Sequence, residues 1–599
     1  MNKRYQLTEV TQQLVAVATG REPAEVVLKG GKLINVNTAE VIDNTDVAIT
    51  HGRIALVGDA THTIGENTQV IDCQGQYIAP GFMDGHIHVE SSMVTVKQYA
   101  RAVIPHGTTS IFMDPHEIAN VLGMDGIRLM IEDGREVPLR VYTAMPSCVP
   151  ATPGFEDGGA VLGPKEIEEA MQWEEVVGLG EMMNFPGVLN GDANVHGELK
   201  ATLNASKIIT GHYSMPETGA GLNGYISAGI RCCHESVRPE DALAKMRLGM
   251  YAQLREGSAW HDVKETVKSI TENRVDTRYA TLVSDDTHPD TLITLGHLDH
   301  VVKRAIEEGV NPITAIQMVT INVAQCFGMD KDLGTISPGR WADICLISDL
   351  TKVQVEKVLI NGQLVAAGGQ LLTEIPQACY PDFAKQTMHL ANELKAPDFA
   401  IPTSNPAASE ATVRIMEIIE AKVGTWAKQC VLPVAKGLVQ NDLAQDVIKA
   451  AVIERHKATG TMGKAFVKGF QLKAGAVAST VAHDSHNLLI GGTNDADMAL
   501  AGNKLAEVGG GMVAVKDGEI IALLPLPIAG LMSDQPVEQV AAMVEKLDGA
   551  WKDLGCPLVS PFMTMALLAL AVLPELRLTN RGLVDTVNFQ IVDVIVAEK

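Results

Sequence analysis

Two histidines one residue apart, His86 and His88, end the run APGFMDGHIH. Side chains alternate along a strand, so a strand running into His-x-His aims both imidazoles the same way. Neutral imidazole is the commonest protein metal ligand, and two of them on one face can share a divalent ion. Further along stand a glutamate in VVGLGEMMNFPG (Glu181), a histidine after each of two apolar runs (His212 in IITGHYS, His234 in IRCCHES), and the aspartate pair of YATLVSDD. Glu181 can bridge two ions through its two oxygens. Of the pair, Asp285, directly after Ser284, is expected to be the metal-side carboxylate, able to touch an ion and accept a proton from water. Asp286 is left to cap or orient the loop. Six ligands, His86, His88, Glu181, His212, His234 and Asp285, suffice for a binuclear centre.

These residues need a scaffold that brings distant strand ends together. His88 and Asp285 are 197 positions apart. If they end the first and eighth strands of a (β/α)8 barrel, the seven steps average about 28 residues, a normal repeat. Strand ends are then expected near 116, 144, 172, 201, 229 and 257, where TTSIFMDPHE, RVYTAMPSC, VVGLGEMM, SKIITGHY, GIRCCHES and MYAQLREGS lie. HLDHVVKRAIEEG and NPITAIQMVTINVAQCFGM have helical spacing and close the barrel.

The fold class expected is α/β: a TIM-like (β/α)8 barrel flanked by a split β-sandwich domain, with an additional C-terminal α/β domain. Residues 1–77 give a helical lead-in and the first part of the β-domain, with turns at Gly30-Gly31 and His51-Gly52. The barrel takes 78–330, and 331–370 return to the β-domain through GTISPGRWADICLI. Residues 371–411 form a connection. The last domain, 412–599, carries strands AGAVAST and MVAVKDGEIIALLP and a tight turn at Lys516-Asp517-Gly518-Glu519.

At 599 residues the chain is too long for one core, and 46% hydrophobic with 20% charged residues is an ordinary globular balance. A net charge of −24 and only 4% aromatics argue against nucleic acid and anionic membranes as partners. The nine cysteines are scattered without CxxC spacing, as expected of buried thiols in a reducing compartment. The N-terminal segment shows no signal-peptide pattern. The longest apolar stretch, Met563 to Leu573, is too short to span a bilayer and is expected as a buried helix. A cytoplasmic location follows from this reading.

With PGFMDGHIHVE after a β-domain, the later His, His and Asp, and GTISPGRWADICLI, residues 25–370 resemble the amidohydrolase superfamily. Within it the whole chain resembles the bacterial adenine deaminases, through MDPHEIANVLG, GLGEMMNFPGVL, SDD followed by GHLDH, and VAHDSHNLLIGG. The resemblance implies hydrolysis of adenine to hypoxanthine and ammonia, two divalent ions (Mn²⁺ or Fe²⁺, with Zn²⁺ able to substitute), and a homodimer. No lysine stands around Glu181, unlike superfamily members that use a carboxylated lysine. N-acetylglucosamine-6-phosphate deacetylases are the enzyme alternative, and a non-catalytic barrel relative the alternative of another class; the first lack the long C-terminal domain, and the second would be expected to have lost ligands.

The resemblance implies an attack on C6 with Asp285 as base. Glu235, next to His234, is a candidate proton donor to a ring nitrogen or else a barrel ion pair; an ideal strand would point it away from His234. His116 and Glu117, at the end of the second strand, either touch substrate, with His116 in catalysis, add metal ligation, or start a helix near Asp114. Ser91 and Ser92 either hydrogen-bond the purine or cap a helix. His483 and His486 either bind metal, reach over the barrel mouth, or begin a helix packed between domains.

Overall fold

A computed structural model describes residues 3–419 and 422–599. The lead-in helix Leu7–Ala18 lays Val10, Leu14 and Val17 on a nine-stranded sheet. That sheet is assembled from both sides of the barrel: the incoming strand Tyr77–Pro80 pairs antiparallel with the returning strand Ile344–Asp349, Pro80 facing Ile344. His51-Gly52 is a two-residue turn with both φ positive, joining Thr50 to Arg53. Gly30-Gly31 corrects the expectation. It lies within the strand Val26–Asn35, where the register shifts, and the Gly30 N–H donates to Asp46 Oδ1 at 2.8 Å. A carboxylate capturing a backbone donor makes a bulge there rather than a turn.

The barrel strands are β1 (Phe82–His88), β2 (Thr108–Met113), β3 (Arg140–Met145), β4 (Val176–Met182), β5 (Ile208–Gly211), β6 (Cys232–Cys233), β7 (Tyr251–Arg255) and β8 (Ala280–Val283). β1 to β5 form one parallel ladder and β6 to β8 another. A bridge between Ile209 and Ile230 joins them on one side, and Asp285-Asp286, continuing β8, pair with β1 on the other. Strands two, three and seven end close to the positions that even spacing gives. Strands four and five end about ten residues late, at Met182 and Gly211, because residues 146–163 form a long loop after β3.

The C-terminal part is built on a ten-stranded sheet covered by the helices Asp495–Val508 and Val537–Asp553. Its hairpin turns at Asp517-Gly518, both with positive φ, pairing Lys516 with Glu519. Buried side chains of the barrel and of this domain, among them Val89, Ile118, Val477 and Trp551, belong to one continuous apolar cluster. Interfaces of that kind hold domains in fixed relation. The apolar stretch at 563–573 is not one helix. A helix Pro561–Ala566 gives way to a single 3₁₀ turn, Leu567–Ala569, and the rest runs irregularly over the barrel mouth. No helix among the described residues is long and apolar enough to cross a membrane.

Candidate metal centre and its cleft

The six expected ligands converge at the C-terminal ends of the barrel strands. Strand alternation brings His86 and His88 to one face of β1, their Nε2 atoms 3.5 and 3.4 Å from Asp285 Oδ1. His88 Nε2 is 3.3 Å from Glu181 Oε1. The other oxygen, Glu181 Oε2, lies 2.5 Å from His212 Nδ1 and 3.1 Å from His234 Nε2. Glu181 thus stands between two donor groups, as a bridging carboxylate must.

The donors fit divalent ions. A tetrahedral ion with bonds of about 2.1 Å needs ligand atoms about 3.4 Å apart, and most of these pairs are spaced that way. His88 Nδ1 lies 2.9 Å from the Asp114 carbonyl, which fixes the tautomer that leaves Nε2 a free lone pair. His86 Nε2 is fully buried and has no hydrogen-bond partner among the described residues. Such an orphan is costly unless something binds it. Burial alone would raise the carboxyls of Glu181 and Asp285. The imidazoles of His212 and His234 beside Glu181, and of His234, His86 and His88 beside Asp285, instead hold both well below the usual carboxylate range. Burial and the neighbouring His86 push His234 down to about 4, the neutral form a ligand needs.

Local structure explains why Asp285 and not Asp286 turns inward. Asp285 has a left-handed φ of 59°, a kink directly after β8. Asp286 instead accepts a 2.5 Å hydrogen bond from Ser91. Beneath the centre, fully buried Asp84 holds Ser284 and His297.

Glu235 points into the cleft, contrary to the ideal-strand expectation. β6 stops at Cys233, so alternation no longer governs position 235. Its Oε1 lies 3.9 Å from both His212 Nε2 and His234 Nε2 and pairs with Arg255 Nη1 at 2.6 Å. Arg255, which the sequence reading missed, also donates to Asp285 Oδ2 at 2.8 Å and to Asp262 at 2.9 Å. Its only sequence signal was position: an arginine at the end of a barrel strand faces the site. Burial is overcome by Arg255 and His212, which bring the Glu235 carboxyl down to about 2.

His116 sits beside the centre, Nδ1 3.3 Å from Glu181 Oε1 and Nε2 3.2 Å from Glu117 Oε1. Glu117 also receives His483 Nδ1 at 2.9 Å and His486 Nε2. The C-terminal histidines therefore reach over the barrel mouth. The two serines correct the expectation of substrate contact: Ser92 is fully buried and donates to the Val89 carbonyl at 2.5 Å, and Ser91 is committed to Asp286. Both lie in the short 3₁₀ turn that follows β1, which consumes their hydroxyls, and neither lines the cleft.

The cleft above the centre has a charged floor and an apolar roof. His88, Glu181, Glu235 and Asp285 line the first; Leu567, Leu570 and Leu573 of the C-terminal domain line the second. Sequence reading gave no hint of this roof, because its residues lie far along the chain and only packing brings them over the barrel.

Comparisons with known proteins agree along the whole chain. The amidohydrolase family matches residues 77–365, and the adenine deaminase C-terminal domain matches residues 422–590. Adenine deaminase of Clostridium botulinum (strain ATCC 19397 / Type A) is 62% identical over 592 residues, covering 99% of this chain and 98% of that protein. Adenine deaminase of Moorella thermoacetica is 63% identical, covering 99% of each. Adenine deaminase of Mesorhizobium japonicum is 48% identical, covering 98% of each.

Proposed function

The chain belongs to the adenine deaminase family of amidohydrolases, and on that premise we propose that it hydrolyses adenine to hypoxanthine and ammonia at the six-ligand centre. The observation that carries this is the six-ligand cluster opening into a cleft with an aliphatic roof. A flat, uncharged base presents an apolar face to Leu567, Leu570 and Leu573 and its reacting carbon to the floor. A sugar 6-phosphate has no counterpart here: among the described residues Arg255 is the one arginine lining the cleft, and three carboxylates already engage it.

The metal ligands are His86, His88, Glu181, His212, His234 and Asp285, with Mn²⁺ or Fe²⁺ as the ions and Zn²⁺ able to replace them. When bound, such a pair supplies Lewis-acid activation of water at neutral pH. Hydrolysis moves two water protons, one to ring N1 and one to the departing amine. Asp285, ionised and fixed by Arg255 through Oδ2, takes a proton at the carboxylate and returns it to the amine. Glu235, fixed by the same guanidinium, takes the second water proton on its carboxylate and delivers it to ring N1, after which it accepts the hydrogen bond from the new N1–H. His116 and Glu117 form the adjoining wall. The scattered thiols support a reducing, cytoplasmic setting, and the family resemblance supports a homodimer.

The test is a panel of adenine, adenosine, guanine and N-acetylglucosamine 6-phosphate offered to Mn²⁺-loaded enzyme, with ammonia and acetate measured. Ammonia from adenine alone is expected. Equal turnover of adenosine, or acetate release, would overturn the assignment.

A further inference from the structure

Beside the six-ligand centre lies a second buried cluster, shared between two domains, to which the proton transfers above assign no step. Glu117 Oε1 is 2.9 Å from His483 Nδ1 and 3.2 Å from His116 Nε2. Asp484 Oδ1 is 3.8 Å from His483 Nδ1 and 3.9 Å from His116 Nε2. These are four of the six edges joining His116 Nε2, Glu117 Oε1, His483 Nδ1 and Asp484 Oδ1. They bracket the spacing of about 3.4 Å that a tetrahedral ion imposes at bonds of about 2.1 Å. We propose that this quartet is an additional divalent-cation site, separate from the barrel centre, which clamps the C-terminal domain onto the barrel.

Three further features support it. The first is charge. Glu117 and Asp484 are both buried, and among the described residues the only cationic side chains within salt-bridge distance of either are histidines. Two carboxylates with two neutral imidazoles balance one divalent ion. The second is that the quartet holds the polar contacts of His483 and Asp484: among the described residues their far atoms, His483 Nε2 and Asp484 Oδ2, are buried without hydrogen-bond partners, so each side chain is anchored only on the side facing Glu117 and His116. The third is the arrangement around the quartet. His116 Nδ1 faces the carboxylates of Glu181, at 3.3 Å, and Asp114, at 3.6 Å, the usual backing of a histidine that binds metal through its other nitrogen.

His486 is excluded as a ligand by its tautomer. Its Nδ1 accepts from the Ala482 N–H at 3.2 Å, so Nε2 carries the proton and donates it to Glu117 Oε2. A ligating carboxylate commonly receives such a bond on its free oxygen. The mixed nitrogen and oxygen donors suit Zn²⁺, Mn²⁺ or Fe²⁺.

The test is metal content. Full-length protein is stripped with chelator, reconstituted separately with Zn²⁺ and Mn²⁺, desalted, and measured by elemental analysis beside His483→Ala and Asp484→Asn, with thermal melts to confirm folding. Each variant is expected to bind one ion fewer per chain than wild type. His486→Gln should weaken that one ion by roughly 10–100-fold, the usual cost of losing a partner of a ligand. Wild type holding three ions fits both centres. Wild type with two and variants with one would keep this site and reduce the barrel centre to a single ion. Equal content in wild type and a folded variant overturns the proposal. If neither variant folds, His486→Gln decides: one ion bound more weakly than in wild type supports the site, and unchanged affinity for every ion rejects it.

Discussion

Replacing Arg255 by methionine probes the electrostatic frame of the cleft without removing any of the six ligands. Arg255 is 4% exposed and makes three charged hydrogen bonds, at 2.6 Å to Glu235, 2.8 Å to Asp285 and 2.9 Å to Asp262. Bonds to charged groups are worth about 1.5–3 kcal/mol each. Two of the three orient the carboxylates assigned to proton transfer, so a loss of about 3 kcal/mol at the transition state is a conservative sum. At 1.36 kcal/mol per tenfold, kcat/KM for adenine should fall roughly 10²-fold. Both carboxylates keep histidine neighbours in the variant, so the loss of stability should stay below the roughly 3–5 kcal/mol of a fully broken buried ion pair. The assay is steady-state ammonia release with metal content and a thermal melt on the same sample. Metal content should stay near wild type, and Arg255→Lys should recover part of the rate by restoring one charge. A folded, metal-loaded Arg255→Met within threefold of wild type would refute the claim that this guanidinium organises the catalytic carboxylates.

Leu570→Ala removes apolar contact from the roof and should raise KM for adenine about tenfold with little change in kcat, since about 1–3 kcal/mol of hydrophobic contact is at stake; a change confined to kcat in initial-rate measurements would contradict the roof assignment. Glu198, in the helix Ala193–Asn204, is 2% exposed, and burial, only partly offset by Asn194, raises its carboxyl from 4.5 to about 8. The folded state therefore keeps a proton that the unfolded chain releases between those values, so stability is lost as pH rises, by up to about 1.4 kcal/mol per unit crossed. Glu198→Gln should match wild type near pH 4.5 and be more stable at pH 8 in denaturant titrations; an equal gap at both values would sink this. The exposed interdomain pair Arg581–Asp157, at 2.6 Å, is a contrasting case. Its removal in Arg581→Ala should cost less than about 1 kcal/mol, and a loss of several would mean that the domains are held differently.

The convergence of the six candidate ligands was legible because each is placed locally: alternation along β1 sets His86 and His88, and the others close or follow apolar strand runs. The reading of the serines after β1 left two uses open, and the backbone of the 3₁₀ turn and Asp286 decide between them. Glu235 was misdirected because the length of β6, which ends two residues earlier, is set by tertiary pairing and not by residue pattern. Arg255 and the leucines of the roof were invisible for a different reason. Arg255 meets its cleft partners Glu235 and Asp285 across 20 and 30 positions, the leucines cover strand ends hundreds of positions away, and no local periodicity records such contacts. His483 and His486 lay between these cases: the motif was conspicuous, yet only the packing against Glu117 selects the barrel mouth as its place.

The most direct test of chemistry at the barrel centre compares Asp285→Asn with Asp286→Asn, measuring bound metal and adenine turnover together. Asparagine keeps one oxygen toward the centre but cannot carry the proton. For Asp285→Asn, metal should largely remain while the rate falls by about 10²-fold or more, the usual scale for a lost general base. Asp286→Asn, which keeps an oxygen to accept the bond from Ser91, should be much milder. An active, metal-loaded Asp285→Asn beside an inactive Asp286→Asn would contradict the account.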